Sequence, residues 1–281
     1  MKIAVVGASG FIGGNVVKYL SGKGYEIISI YFTRPIEWSN TMNYTQFMQM
    51  NGRIDAIIFA GGNSNHKVDD KSLYEIIKKD SQYIQDILEK FEIPKAILLS
   101  SAAVYYGYEG YVDENVCPRP VINYGISKRI SEMIFEKQAR KSGVQGTVLR
   151  LTHAFGKEEK ESRLFKSIAK SIIDQKPLKV YGGGESYINP VPIDFVCKVV
   201  DYFLRRDSMV EVDYYNLGSF KPLKVREIVE SLKDRFDFEF VFEGEERHPV
   251  KFITKAEKLA QLGIVFQDVL ENIIRYVESI I

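Results

Sequence analysis

Tyr124 and Lys128 stand four residues apart, the spacing that sets two side chains on one face of a helix. A free phenol holds its proton to about pH 10, too high for efficient proton transfer at neutrality. A nearby ammonium favours the phenolate, so such a pair can donate and accept a proton near neutral pH. Ser101 follows Ser100 at the end of an apolar run and could hydrogen-bond the reacting oxygen, aligning it with the Tyr124 hydroxyl. In a chain with 17 tyrosines the Tyr-x-x-x-Lys spacing arises readily by chance as a surface pair. The upstream serines lift it above that reading.

A second constellation opens the chain. Gly7, Ser9, Gly10, Phe11, Ile12 and Gly13 form a glycine-rich turn directly after the apolar residues 3–6. A phosphate sits well where backbone N–H groups point outward at a helix N-terminus with no side chain over them, and glycines at 7, 10 and 13 would allow that approach. The spacing is G-x-x-G-x-x-G, an approximate match to the dinucleotide fingerprint. NAD-selective sites place Asp or Glu at the end of the second strand to hold the ribose 2′-OH. Here that stretch runs Tyr31-Phe32-Thr33-Arg34, with no carboxylate, and Arg34 could meet a 2′-phosphate. The expected cofactor is therefore NADP, with NAD as the alternative.

These groups need a scaffold. Short apolar runs at 3–6, 27–32, 56–60, 96–100 and 147–151 read as strands, with helical patterns at 13–21, 44–50, 70–91 and 124–142 between them. Strands apolar on both faces and separated by helices predict an α/β fold, a Rossmann-type doubly wound parallel sheet. Gly22 and Gly24 are expected to stop the first helix and Pro94 to separate the third from the next strand. Beyond 151 come helical patterns at 162–174, 194–205, 225–234 and 266–280 and a strand at 214–217. The expected organisation is a cofactor domain over 1–155 and a smaller α/β substrate-binding region over 156–281, with a segment near 190–220 returning to the first.

The 281 residues carry 38 Lys and Arg against 37 Asp and Glu, a formal net charge of +1. Nothing global attracts nucleic acid or an anionic membrane. No apolar stretch approaches the roughly 20 residues that span a bilayer. Cys117 and Cys197 are too few for a disulfide framework, and the chain begins directly in a strand pattern, so a cytoplasmic protein is expected. His66 and His248 are single histidines at no metal-ligand spacing, and no metal site is expected. Glu158-Glu159-Lys160-Glu161 reads as a solvated stretch.

The glycine turn, the segment Ser100-Ser101-Ala102-Ala103-Val104-Tyr105 and Tyr124–Lys128 together resemble the extended short-chain dehydrogenase/reductases, which include nucleotide-sugar epimerases, dehydratases and ketoreductases. Later segments are similar too. Leu149-Arg150-Leu151-Thr152-His153-Ala154-Phe155-Gly156 resembles the family's "LRxxNxYG", with His153 in place of Asn. Val191-Pro192-Ile193-Asp194-Phe195-Val196 resembles "hVdDva", Tyr215-Asn216-Leu217-Gly218 resembles "yNlG", and Arg247-His248-Pro249-Val250 resembles "RpgD".

The resemblance implies Tyr124 as general acid/base, Lys128 supporting it and holding the nicotinamide ribose, and Ser101 orienting the sugar oxygen. It implies Ala60-Gly61-Gly62 packing against the cofactor, and His153, Tyr187 and Arg247 on the nucleotide-sugar substrate, Arg247 at its diphosphate. The 4,6-dehydratases carry an Asp-Glu pair where Ala102 and Ala103 stand, so water elimination is disfavoured. It further implies a homodimer through the helices near 70–91 and 124–142. The expected reaction is NADPH-dependent reduction of a 4-keto-deoxyhexose nucleotide, with Tyr124 delivering the proton. The alternative is a 4-epimerase with tightly held NAD, and a third reading is a catalytically silent NAD(P) sensor on the same fold.

Overall fold

Isoleucine and valine runs, apolar on both faces and too short for helices, build the centre of the fold. The computed structural model describes residues 1–63, 68–208 and 210–281. His66 therefore lies outside the described residues.

In chain order the first elements are β1 (Lys2–Val6), α1 (Phe11–Gly22), β2 (Glu26–Tyr31), β3 (Thr41–Asn43), α2 (Tyr44–Gln49), β4 (Ala56–Phe59) and α3 (Asp70–Lys90). Next come β5 (Lys95–Ser101), β6 (Gly110–Val112), α4 (Asn123–Ser142), β7 (Gln145–Leu151), β8 (His153–Phe155), α5 (Leu164–Asp174) and β9 (Leu178–Tyr181). Then follow β10 (Tyr187–Ile188), β11 (Pro190–Pro192), α6 (Ile193–Arg205), β12 (Val212–Leu217) and β13 (Leu223–Lys224). The chain closes with α7 (Val225–Lys233), β14 (Phe240–Glu243), β15 (Phe252–Thr254), α8 (Glu257–Ala260) and α9 (Val269–Glu278).

The described chain divides into two units: Met1–Tyr106 with Glu114–Leu151 and Ile193–Asn216, and Gly107–Asp113 with Thr152–Pro192 and Leu217–Ile281. The first unit holds a seven-stranded sheet in the order β12-β7-β5-β4-β1-β2-β3, with β1 paired in parallel to both β2 and β4. The order reverses at β1, between β2 on one side and β4 on the other. In open α/β sheets that switch point is where ligands bind, beyond the carboxyl ends of the strands. The α/β, doubly wound class expected from the sequence is what the chain adopts.

Local chemistry explains the helices that frame this point. Asp69 caps α3 by accepting from the Ser72 N–H, and Lys90 sits in its last turn against the helix dipole. α4 ends at Gly143, left-handed with φ 63°, after Arg140 and Lys141. Phe59 on β4 packs against Tyr83 of α3 and Phe135 of α4, with ring centroids 5.9 and 6.0 Å apart, and ties both helices to the sheet. One breaker behaves differently from expectation. Gly22 is the last residue of α1, and the turn is made after it, by Gly24 at φ 83°.

The second unit is assembled from two-stranded pairs: β8 with β11, β9 with β14 and β6 with β15 in parallel, and β10 with β13 antiparallel. Each of these strands has two to four residues, below what a period-2 pattern reveals, and none of them is among the strands read from the sequence; β3 of the first unit, with three residues, is not either. Phe155, Phe165 and Tyr276 stack to join β8, α5 and α9, with centroids 5.0–6.4 Å apart. Among the described residues no helix is long and apolar enough to cross a membrane.

Candidate active site

At the end of β1 the chain turns sharply. The Gly7 and Ala8 N–H groups both donate to the Ile30 carbonyl, at 2.9 and 3.0 Å. Gly7 has φ 85°, and a methyl group built on it would lie 2.5 Å from the Gly61 Cα. The glycine turn thus rests directly on the backbone of Ala60 and Gly61, two segments that the sequence places more than 50 residues apart. α1 begins with Gly10 as its N-cap, with no side-chain cap and no acidic residue in its first turn. Its leading N–H groups are left for an anion, and the cradle that a Cβ would fill is what a dinucleotide phosphate needs. Phe11 and Ile12 begin this helix, and the carbonyl of Ser9, in the turn before it, accepts a hydrogen bond from the exposed Arg34 guanidinium. β2 ends at Tyr31 without a carboxylate.

Lys128 and Tyr124 share a face of α4, and both are buried. The Lys128 Nζ lies 5.6 Å from the Tyr124 ring centroid. On its other side it meets Gly62, whose φ is 119° and where a methyl group would stand 2.8 Å from Nζ. Tyr124 packs with Ala103 and Ile122, so the start of α4 is set against the 3-10 turn Ala102–Tyr105 that follows Ser101. The Ser101 Oγ accepts from the Ala103 N–H at 3.1 Å, which leaves its own hydrogen available to donate. Ala102 and Ala103 are buried inside that turn.

Beneath these residues are polar groups that the sequence reading does not anticipate. Asp80, only 2% exposed, accepts from the Asn63 N–H at 2.7 Å, the Ser127 hydroxyl at 2.9 Å and the Lys128 ammonium at 3.3 Å. Tyr83 donates to the Gly61 carbonyl at 3.1 Å, and burial, with Asp80 adding to it, holds its phenol well above the ordinary range. Glu132 accepts from Ser100 at 2.7 Å and receives two bonds from Arg150, each 2.9 Å. Arg150 also donates to the Tyr105 hydroxyl at 2.7 Å, which in turn donates to Asn216 at 3.0 Å. Burial works against the Arg150 charge, but the Glu132 carboxylate outweighs it and binds the proton tighter. Burial also pushes the Tyr105 phenol up to about 12, with Arg150 pulling the other way. The signal for these groups was present: Asp80 falls on the same helical stripe as Tyr83, Ile84 and Ile87, and Glu132 lies one turn after Lys128.

The three expected substrate residues all lie in the second unit. Tyr187 pairs across strands with Lys224, whose ammonium is 5.5 Å from its ring centroid. The stretch carrying Arg247 is fastened to the stretch carrying Tyr187. The Val250 N–H donates to Ser186 at 2.8 Å, the Tyr187 N–H donates to the Val250 carbonyl at 2.9 Å, and Ser186 donates to Glu246. Arg247 itself is exposed. His153 stands on β8 opposite Pro190, with its ring edge-on to Phe165 at 5.3 Å. The stretch 158–161, expected to be solvated, is only partly so. Glu159 is 4% exposed, because the Tyr276 hydroxyl and the Gly156 carbonyl hold it inward.

A model of the NAD dependent epimerase/dehydratase family matches residues 3–218, and the chain belongs to that family. It is similar to an uncharacterized UDP-glucose epimerase of Bacillus subtilis, 23% identical with 100% of this chain and 99% of the relative covered. A putative UDP-glucose 4-epimerase of Methanocaldococcus jannaschii is 24% identical, with 92% of each chain covered. The crystal structure of the Thermotoga maritima UDP-glucose 4-epimerase with UDP-glucose superimposes with a TM-score of 0.87 at 22% identity, over 99% of this chain and 98% of that one. The fold is therefore that of the extended short-chain dehydrogenase/reductases, as the sequence resemblance implies.

Proposed function

We propose that the protein is a nucleotide-sugar 4-epimerase in which Tyr124 moves the proton, Lys128 supports it and Ser101 orients the sugar oxygen. The observation that carries the proton-transfer roles is the Lys128 ammonium, set between the Tyr124 ring and Gly62, the residue after the Ala60 and Gly61 that lie against the glycine turn. NAD, when bound, supplies hydride acceptance and return at the sugar carbon. Gly7, Ser9, Gly10, Phe11, Ile12 and Gly13 would hold its phosphates, and Ala60, Gly61 and Gly62 would lie under it. Ser101 donates to the substrate oxygen while Tyr124 takes the hydroxyl proton and later returns it, so neither residue is consumed. In the second unit, Tyr187, Arg247 and His153 are read as contacts to the nucleotide sugar, Arg247 at the diphosphate. Ala102 and Ala103 carry no acid or base for water elimination, which argues against a dehydratase.

The epimerase reading stands ahead of the reductase reading because relatives aligned along nearly the whole chain bear epimerase names. One observation favours the second reading, an NADPH-dependent 4-keto reductase: Arg34 reaches Ser9 at the glycine turn, and β2 ends without a carboxylate. We also read α3 and α4 as the surface that pairs with a second copy, which light scattering of the purified protein would test.

The deciding experiment is mass spectrometry of the cofactor carried by purified protein, followed by turnover of UDP-glucose and of a 4-keto nucleotide sugar. Co-purified NAD with inversion at C4 supports the epimerase. Net consumption of NADPH on the keto sugar replaces it with the reductase, and cofactor binding with no turnover of any nucleotide sugar replaces both with a silent sensor.

A further inference from the structure

A carboxylate buried to 2% in mid-helix is costly unless its charge is met, and among the described residues Asp80 meets its charge at the Lys128 ammonium. Both side chains are nearly sealed from water, with side-chain exposures of 2% and 10%. Among the described residues, the groups facing the carboxylate are Lys128 and Ser127 on α4, the Asn63 N–H in the loop after β4, and Tyr83 on its own helix. The main chain of Asp80 is held as well, its carbonyl accepting from Ser131 at 3.2 Å. Gly62 completes the enclosure: a methyl group there would come within 2.8 Å of the Lys128 Nζ and 3.1 Å of the Asp80 Oδ1. The ammonium is thus fixed from three sides, by the carboxylate, by the glycine backbone and by the ring of Tyr124.

We infer that Asp80 is a positioning residue for the proton-transfer pair: its carboxylate fixes the Lys128 ammonium beside Gly62 and balances part of the charge that the ammonium presents to Tyr124. This rests on the reading of Tyr124 and Lys128 as the proton-transfer pair. A lysine with no counter-charge would favour the phenolate in full, whereas one paired at 3.3 Å presents Tyr124 with an ion pair, whose field is weaker and falls off faster. Ser127 and the Asn63 N–H do not carry charge, so they hold the carboxylate in place without changing that balance. Asp80 acts only through Lys128.

The test is an ultraviolet titration of tyrosinate in the presence of saturating NAD, run in pairs that differ by Tyr124→Phe so that the other tyrosines cancel. Asp80→Asn keeps the size of the side chain and an oxygen that can accept from Asn63 while removing the charge. The Tyr124-dependent transition of Asp80→Asn is expected about one pH unit below that of the natural protein, as an unbalanced charge several ångströms away implies at an effective dielectric near 20. Coincident transitions in the two proteins overturn the inference and leave the functional reading standing. A titration in which Tyr124→Phe removes no transition overturns the proton-carrier reading and this inference with it. If Asp80→Asn fails to fold by circular dichroism, Asp80→Ser carries the same expectation. Ser127→Ala, which loses a hydrogen bond to the carboxylate but no charge, is expected to melt earlier with its transition unmoved.

Discussion

Gly7 lies so close to Gly61 that a single methyl group on the first would sit 2.5 Å from the Cα of the second. Since β1 and β4 are neighbouring parallel strands, their carboxyl ends arrive side by side, and the turn after one is built on the turn after the other. Gly7→Ala must relieve a left-handed φ and a backbone clash together. The expected cost is about 2–4 kcal/mol of stability, with loss of most NAD affinity. Gly24→Ala provides the control, for its φ of 83° is nearly the same but nothing stands within 4 Å of the added methyl. It is expected to cost about 1 kcal/mol and to leave NAD binding intact. Thermal melts and calorimetric titration with NAD separate the two.

Arg34 donates to the Ser9 carbonyl and is otherwise exposed, so it can turn toward a ribose 2′-phosphate without leaving a buried group unsatisfied. Arg34→Ala is expected to weaken NADP binding about tenfold or more while changing NAD binding little. Equal effects on the two dissociation constants would show that Arg34 does not read the phosphate.

Tyr124→Phe removes one hydroxyl from a buried ring and leaves its packing against Ala103 and Ile122 in place. Turnover of the nucleotide sugar is expected to fall by about 10²–10⁴, with an unchanged dissociation constant for NAD and an unchanged melting temperature to within a few degrees. A loss of NAD affinity as large as the loss of turnover would place the hydroxyl in binding instead.

The first unit was legible because its signals are long and repeated. Residues 3–6, 27–32 and 56–60 are apolar on both faces, and breakers set them off from the long helices α1 and α3, of 12 and 21 residues. The glycine turn and Tyr124–Lys128 could be placed at strand and helix ends from those patterns alone. The second unit was not legible in the same way. β8, β10, β11 and β13 have two or three residues each, and their pairing depends on partners 30 to 40 residues distant in sequence. Asp80 and Glu132 were missed for a different reason. A charged residue on an apolar stripe reads as an irregularity until the group that neutralises it is known, and Lys128 and Arg150 come from other elements.

Glu132 and Arg150 form a two-pronged pair with both side chains almost wholly buried, 0% and 3% exposed. Removing one partner strands a charge in the interior, and Glu132→Gln is expected to cost about 3–5 kcal/mol in urea unfolding. Replacing both together, as Glu132→Met with Arg150→Met, removes the charges as well as the bond. The double variant is expected to be closer to the natural stability than Glu132→Gln. A double variant less stable than the single would show that Ser100, Tyr105 and Arg129, which bond to the pair, depend on it more than the two charges do on each other.

Glu159 shows how the second unit is tied together and gives it a pH dependence. The Tyr276 hydroxyl lies 2.8 Å from the Gly156 carbonyl and 3.0 Å from the Glu159 carboxyl, and it has one hydrogen to give. If Glu159 carries a proton, it donates to Tyr276 and Tyr276 donates to Gly156, so all three oxygens are satisfied in a chain from β8 to α9. Burial pushes the Glu159 carboxyl up to about 7, against the pull of the Tyr276 hydroxyl and of Arg163 and Lys166, with Glu161 adding to the rise. Its ordinary value is 4.5. The folded chain therefore binds this proton more tightly than the unfolded chain does, and the sign follows: stability from this group is full below about pH 4.5 and is lost as pH rises through about 7. The loss amounts to at most about 3 kcal/mol. Glu159→Gln keeps the donor and cannot ionise, so it is expected to raise the melting temperature at pH 8 and to flatten the decline between about pH 4.5 and pH 7. Melting curves for the two proteins across that window check it, and parallel declines would place the pH dependence in another group.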